Sequence, residues 1–346
     1  MFTEESIFLR NNLLSNIDIV NTNELKLLYK YLSDIKRNEM KRIYSKTSTT
    51  LYNEIKKVKY ISESAEESIS KLTNKTILHL QSSNLKVKIS IYSDKSTDKF
   101  IQIIVDVIEF VCSLTKNHSI NELDICYYLT DLKKINSEKN EYLTVNEINS
   151  GYCENNFNKS NIVIWRSEEI MKVTIHELFH ALKYDFRQDT NEIIKMYQKR
   201  YNISSLNINT YETYAELWAN LINCFLISQK IKRDKYNAFL ILIYIEKEFV
   251  KYQCNKFSQN YFKNDYDINK YTNVLAYFFI RCELYGKLTQ FIKFCRENNK
   301  NYVKINKSKW NDLLKKTKKL NFKKIKYKND YLSLTTRMSV NEIDLF

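Results

Sequence analysis

A chain of 346 residues with no proline and only two glycines has almost nothing with which to break a helix or force a sharp reversal. Its turns must come from Asn, Asp and Ser clusters, and its boundaries must be read from hydrophobic periodicity. Residues 1–80 place apolar side chains at helical spacing in LLSNIDIV, LKLLYKYLSDI and LYNEIKKV, and they offer no run that reads as a strand. From Leu85 the period changes. LKVKISIYS alternates every second residue, ELDICYYL does so roughly, and NIVIW (161–165) is a short, apolar, β-branched run, with a helix at about 97–115 between the first two. After residue 167 the spacing predicts helices at about 167–184, 189–200, 210–229, 234–255, 270–297 and 307–319, while Asn-rich pieces such as 154–161 read as loops. The expected class is α+β, predominantly helical. It comprises an N-terminal helical region (1–80), a core with a small sheet and a central helix (85–230), a helical C-terminal subdomain packing on that core (231–299) and a basic segment (300–346).

A hydrophobic content of 44% with 14% aromatic residues can bury a sizeable core. No apolar run reaches the roughly 18 residues of a spanning helix, and the nearest, IQIIVDVIEFVCSL (101–114) and 238–245, carry charges inside or close by. The opening MFTEESIFLRNN has acids where a secretory leader needs positive charge. Seven cysteines lie scattered without CxxC spacing, as reduced thiols in an intracellular compartment would. The expectation is a soluble intracellular chain that is neither exported by a signal peptide nor inserted in a membrane.

Lys, Asn, Ile and Tyr are abundant in the way that A/T-rich codons produce, so the distribution of charge says more than the net +15. Between Lys300 and Lys328 twelve lysines face one acid, Asp312, and this stretch supplies +11 of the +15. Such a segment attracts a polyanion, whether nucleic acid, anionic membrane or acidic protein; the plainer alternative is a solubilising face.

The chemistry concentrates in VTIHELFHALKYDF (173–186), where His176 and His180 stand four residues apart and so project from one face of a helix, one turn apart. That is the spacing one tetrahedral metal needs. Glu177 follows the first histidine, and in this arrangement its carboxylate serves as general base toward the water that a zinc activates, without binding the metal. Val173, Ile175, Leu178, Phe179 and Leu182 wrap the pair in apolar side chains. A non-metal helix with two surface histidines is the bland alternative, whereas His79 and His118, isolated among polar residues, read as ordinary surface or packing histidines.

A catalytic zinc, one per chain, wants a third protein ligand and an open fourth position. Asp185 lies five residues after His180, but a closely following ligand normally comes six residues on and after a Gly, and Phe186 stands there. NTYETYAELWANLIN (209–223) is a strongly apolar helix on which Glu212 and Glu216 share a face. Acids facing a core are costly unless they bind metal or are well hydrogen-bonded. The economical account is Glu212 as ligand and Glu216 as the acceptor that orients a ligand histidine. Glu216 or Asp185 as third ligand, and an exposed acidic stripe, remain the alternatives.

HELFH followed by a helix bearing ETYAE resembles the gluzincin pattern, HExxH plus a downstream E-x-x-A-[DE], shared by thermolysin-like and aminopeptidase-like zincins. A longer resemblance, over about 125–300, is to HExxH proteins encoded by large DNA viruses. It rests on YYLTDLKK (127–134), NSGYC (149–153), IVIWRSEEIMKVTIHELFHALKYDF (162–186), YETYAELWANLIN (211–223) and TNVLAYFFIRCELYGKLTQFI (272–292). The resemblance implies a zincin-like catalytic core at 85–230, a metallopeptidase acting on protein or peptide, and a place in the infected-cell cytoplasm or the virion. It brings no substrate with it. The 31 residues between His180 and Glu212 exceed the usual short link, and a helix at 189–200 would fill it. The resemblance also implies an edge strand just ahead of the active-site helix, where NIVIW stands. Gly151 reads as a position of positive φ or close approach, and Ser167 as the N-cap of the active-site helix, with Glu168 and Glu169 in its first turn. A transition-state stabiliser cannot be picked out among 26 tyrosines, although Tyr211 and Tyr214 flank the proposed ligand. The competing reading is a virion or replication-associated scaffold that keeps the fold and binds nucleic acid or capsid through 300–328.

Overall fold

The computed structural model describes residues 1–14, 19–49, 58–59, 61–116, 118–136, 143–261, 267–325 and 330–346. Among them the chain is a mixed α/β protein with thirteen α-helices, one π-helical stretch and a six-stranded sheet. In chain order these are α1 (Glu4–Leu13), α2 (Asn23–Ser33), β1 (Lys41–Thr49), α3 (Glu63–Ser70), β2 (Asn74–Gln81), β3 (Lys86–Ser93), α4 (Asp98–Cys112), β4 (Glu122–Tyr128), the single turn α5 (Val145–Ile148), β5 (Gly151–Asn155), β6 (Lys159–Ile164) and α6 (Ile170–Ala181). There follow α7 (Asn191–Tyr201), α8 (Thr210–Gln229), α9 (Lys235–Tyr261), the π-helix Leu275–Ile280, α10 (Arg281–Tyr285), α11 (Leu288–Asn298), α12 (Lys307–Lys316) and α13 (Tyr331–Leu334). No described helix is long and apolar enough to cross a membrane.

The contacts divide the chain into two units, each assembled from separate stretches of sequence: 1–34, 135–147 and 185–343 in one, 35–134, 148–184 and 344–346 in the other. The second holds the sheet, in the order β1-β2-β3-β4-β6-β5. Its middle pairs, β3 with β4 and β4 with β6, are parallel, and the outer ones are antiparallel. Alternation decides its faces. Leu78 and Leu80, Val87, Ile89 and Ile91, Leu123, Ile125 and Tyr127, and Ile162 and Ile164 all bury, whereas their neighbours along each strand are less covered. Each such side chain, fully buried, stabilises by about 1.5–3 kcal/mol. α4 has Phe100, Ile101, Ile104, Val107, Ile108 and Val111 on one stripe at the helical period, and it packs on α6. All twelve residues of α6 are buried, and it lies against β5 and β6.

Several expectations are corrected here. Residues 1–80 contain β1 and most of β2. β1 escaped notice because all nine of its residues are exposed, so KRIYSKTST shows no apolar alternation. Of the expected helix LYNEIKKV, residues 51–57 lie outside the described residues, as do residues 15–18 of LLSNIDIV. NIVIW is an interior strand, paired with β4 on one side and β5 on the other, and the edge is β5; the expected loop 154–161 holds the end of β5 and the start of β6. Ser167 is no N-cap: α6 starts at Ile170, and the N-cap position is held by Glu169, in the left-handed region at φ 59° and without a side-chain cap. Glu169 instead forms a fully buried ion pair with Lys134 at 2.8 Å, while Glu168 accepts from the Lys134 backbone amide.

The other unit is helical. α8 is apolar nearly all round and buried along its length except at Tyr211 and its last residue, so it takes the central position, packed on α9, the π-helix and α10. The expected helix 270–297 is broken twice, by the wider π turn at 275–280 and by Gly286–Lys287 before α11. An extended strap, 335–343, runs buried across these helices. Gln253 Nε2 donates to the Thr335 and Arg337 carbonyls (3.1 and 2.8 Å), Arg281 Nη1 to Met338 O (2.6 Å), and Asn223 Nδ2 to Asn341 O (2.8 Å). Glu246 accepts from Ser339 Oγ and Val340 N at 2.8 and 3.2 Å. Thr3 N donates to Glu342 O at 3.1 Å.

Candidate metal centre

Four residues of helix bring His176 and His180 onto one face of α6, both almost fully buried at 6% and 3% exposure. Their Nε2 atoms converge to 3.0 Å, with the rings at 81° to one another. The end of α6 is fixed by the β5–β6 hairpin. Asn155 Nδ2 donates to His180 O at 2.9 Å and Ser160 Oγ to Ala181 O at 3.0 Å, satisfying two of the carbonyls that a helix leaves open at its last turn. From below, Tyr127 OH and Thr174 Oγ1 share a hydrogen bond at 3.1 Å.

Glu177 is equally buried, at 6% exposure. A Cβ placed on Gly151 would lie 3.2 Å from Glu177 Oε1, 3.0 Å from Val163 O and 3.1 Å from Ile164 Cγ1. The glycine therefore serves close approach, and its φ is not positive. The edge strand β5 can run beside the Glu177 carboxylate only because no side chain intervenes.

Glu212 sits in the first turn of α8, 9% exposed. The start of that helix is set by Asp189, whose carboxylate accepts from Thr210 N at 2.8 Å and from Thr210 Oγ1, doing for α8 what Asn209, in the left-handed region, does not. Burial raises the pKa of Asp189, and the bonds from Thr210 oppose the shift. Tyr277, in the π-helix, donates to Glu212 Oε2 at 3.0 Å. One turn along α8, Glu216 Oε1 accepts from Arg281 Nη1 at 2.8 Å, a pair with side-chain exposures of 1% and 0%.

His176, His180 and Glu212 form a buried group whose three donor atoms all lie within 4.8 Å of one another, and it could hold a metal ion. Two imidazoles and a carboxylate are donors that suit a divalent transition metal; for tetrahedral bonds of about 2.0–2.1 Å two ligand nitrogens stand about 3.3 Å apart, near the separation seen. The residues fit such an ion. Asp185 is half-buried and outside this group. Burial raises the Tyr211 phenol, and the charges of Glu212 and Asp185 push it further up. Tyr214 is a core residue, its hydroxyl donating to Val303 O at 2.6 Å. His79 packs edge-on against Tyr44, and His118 is partly buried, which lowers its pKa.

Tyr277, Arg281 and Asp189 went unnoticed in the sequence. Arg281 did carry a signal, because an arginine inside the apolar run VLAYFFIRC needs a buried partner. Compared with family models, curated proteins and solved structures, the chain finds no match among any of the three.

Proposed function

We propose that the protein is a zinc-dependent metallopeptidase that hydrolyses a peptide bond with Glu177 as general base. The observation that supports this reading is the buried convergence of His176, His180 and Glu212, with Glu177 adjacent to the first of them on the same helix. A zinc ion in that group would supply Lewis acidity to the scissile carbonyl and acidity to the attacking water. Glu177 would take one proton from that water as its oxygen bonds to the carbonyl carbon, and would then deliver it to the amine nitrogen as the C–N bond breaks, which restores the carboxylate. Tyr277 would hold Glu212 in place, and Gly151 keeps β5 clear of the base.

Zinc-loaded protein assayed on broad peptide and protein libraries should show turnover that Glu177→Gln abolishes while keeping its metal. Equal, null turnover by both proteins would overturn the peptidase reading and leave the metal site standing.

A further inference from the structure

Ten of the twelve lysines between Lys300 and Lys328 lie in described residues, and all ten are exposed. Some exposed lysines elsewhere pair with acids, as in Lys59–Glu154, Lys71–Glu67 and Lys95–Asp131 at 2.7 Å each, and others, such as Lys86, Lys88 and Lys293, stand apart without being clustered with so many like charges. Here Lys315 pairs with Glu192 at 2.8 Å, and Lys307 and Lys319 sit over the rings of Phe186 and Tyr201. The remaining seven have no ion pair among the described residues. Unneutralised charge at this density stores repulsion that a polyanion would relieve.

Much of the segment is also anchored to the helices around it. Helix α12 buries Trp310, Leu313 and Leu314, and Trp310 Nε1 donates to Thr210 Oγ1 at 3.0 Å. Upstream, Asn301 and Tyr302 take left-handed conformations, and Tyr214 clamps Val303. Downstream, Arg200 donates to Thr317 Oγ1 and to Thr317 O, at 2.8 and 3.0 Å.

We propose that this lysine face, 300–324, is a docking surface for the phosphate backbone of duplex nucleic acid, bound without regard to sequence. Three features choose this partner. The apolar side of α12 faces inward, Phe322 packs on Phe279 at 5.7 Å, and no described apolar side chain of the segment is fully exposed, so a bilayer is offered little to hold. No described aromatic in the segment is exposed, so unpaired bases gain no stacking platform and a single strand has no advantage. The cations are lysines without an arginine fork, which suits point contacts to phosphates and not base reading.

The test is fluorescence anisotropy of a labelled duplex of about 20 base pairs with the full chain, against the variant carrying Lys304, Lys309, Lys316, Lys318, Lys323 and Lys324→Gln. Wild type should bind two unrelated duplexes alike and lose about 100-fold or more in affinity between 50 and 200 mM salt. The variant should bind at least about tenfold more weakly with a shallower salt slope, at unchanged melting temperature and metal content, since these side chains hold nothing in the fold. No binding at 50 mM salt, an unchanged slope in the variant, or tighter binding to phosphatidylserine vesicles or polyglutamate than to duplex would each overturn the proposal.

Discussion

Tyr277 reaches Glu212 from a π-helical turn, its hydroxyl donating to Oε2 at 3.0 Å while both side chains are buried. A π turn carries one residue more per hydrogen-bonded ring than an α turn and shifts the residues after it around the axis, a device found often at functional sites. Tyr277→Phe would leave Oε2 without this donor. Zinc affinity should fall by about 10–100-fold, the usual cost of losing a partner of a ligand, read by competition with a chromophoric chelator. Affinity equal to wild type would show that the bond does not orient Glu212.

Metal content separates the candidate ligands. Purified wild type should carry one zinc per chain by elemental analysis; His180→Ala and Glu212→Gln should lose it or hold it weakly, and Asp185→Asn should keep it. Loss in Asp185→Asn with retention in Glu212→Gln would reverse the assignment.

Gly151→Ala tests the edge strand. The new methyl meets Val163 O at 3.0 Å, a backbone atom that cannot swing aside, and Glu177 Oε1 at 3.2 Å. Overpacking of this kind costs about 1–3 kcal/mol, which urea denaturation would read, and turnover should drop while zinc stays bound. A variant as stable and active as wild type would mean that β5 has slack.

Arg281→Met leaves the Glu216 carboxylate buried without its cation and removes a donor from Met338 O. Breaking one side of a buried pair costs about 3–5 kcal/mol, so the urea midpoint should fall sharply. Adding Glu216→Leu should recover much of that loss, because two apolar residues no longer strand a charge. A single variant within about 1 kcal/mol of wild type would show the pair to be worth no more than a surface one.

The two helices that carry the candidate ligands were legible because HELFH and ETYAE place reactive residues at helical spacing inside apolar runs, and the interior strands β3 and β4 because they alternate; β2, interior as well, was passed over. β1 was not legible, since an edge strand exposed on both faces needs no apolar residue. Nor was the place of NIVIW: a run rich in Ile and Val marks a strand, but which neighbours pair with it depends on the route of the chain between strands. Tyr277 was hidden for another reason. Nothing local distinguishes it from the other tyrosines, and its contact with Glu212 spans 65 residues. Ser167 misled because a good N-cap residue ahead of two acids is a local preference, and the buried Lys134–Glu169 pair overrode it.

The strap at 335–343 sets an order of events on the ribosome. Glu246 and Gln253 emerge well before the strap segment that bonds them, and Thr3 waits longest, for Glu342. Until residue 343 is out of the exit tunnel, the helical unit that contains Glu212 has buried polar groups with no partner and stays incomplete. His176 and His180 meanwhile belong to a unit whose helices and strands are nearly all synthesised by residue 184. Two of the three candidate ligands would thus be in place early in translation and the third only after the strap has emerged, so a shorter nascent chain would not carry the complete candidate group.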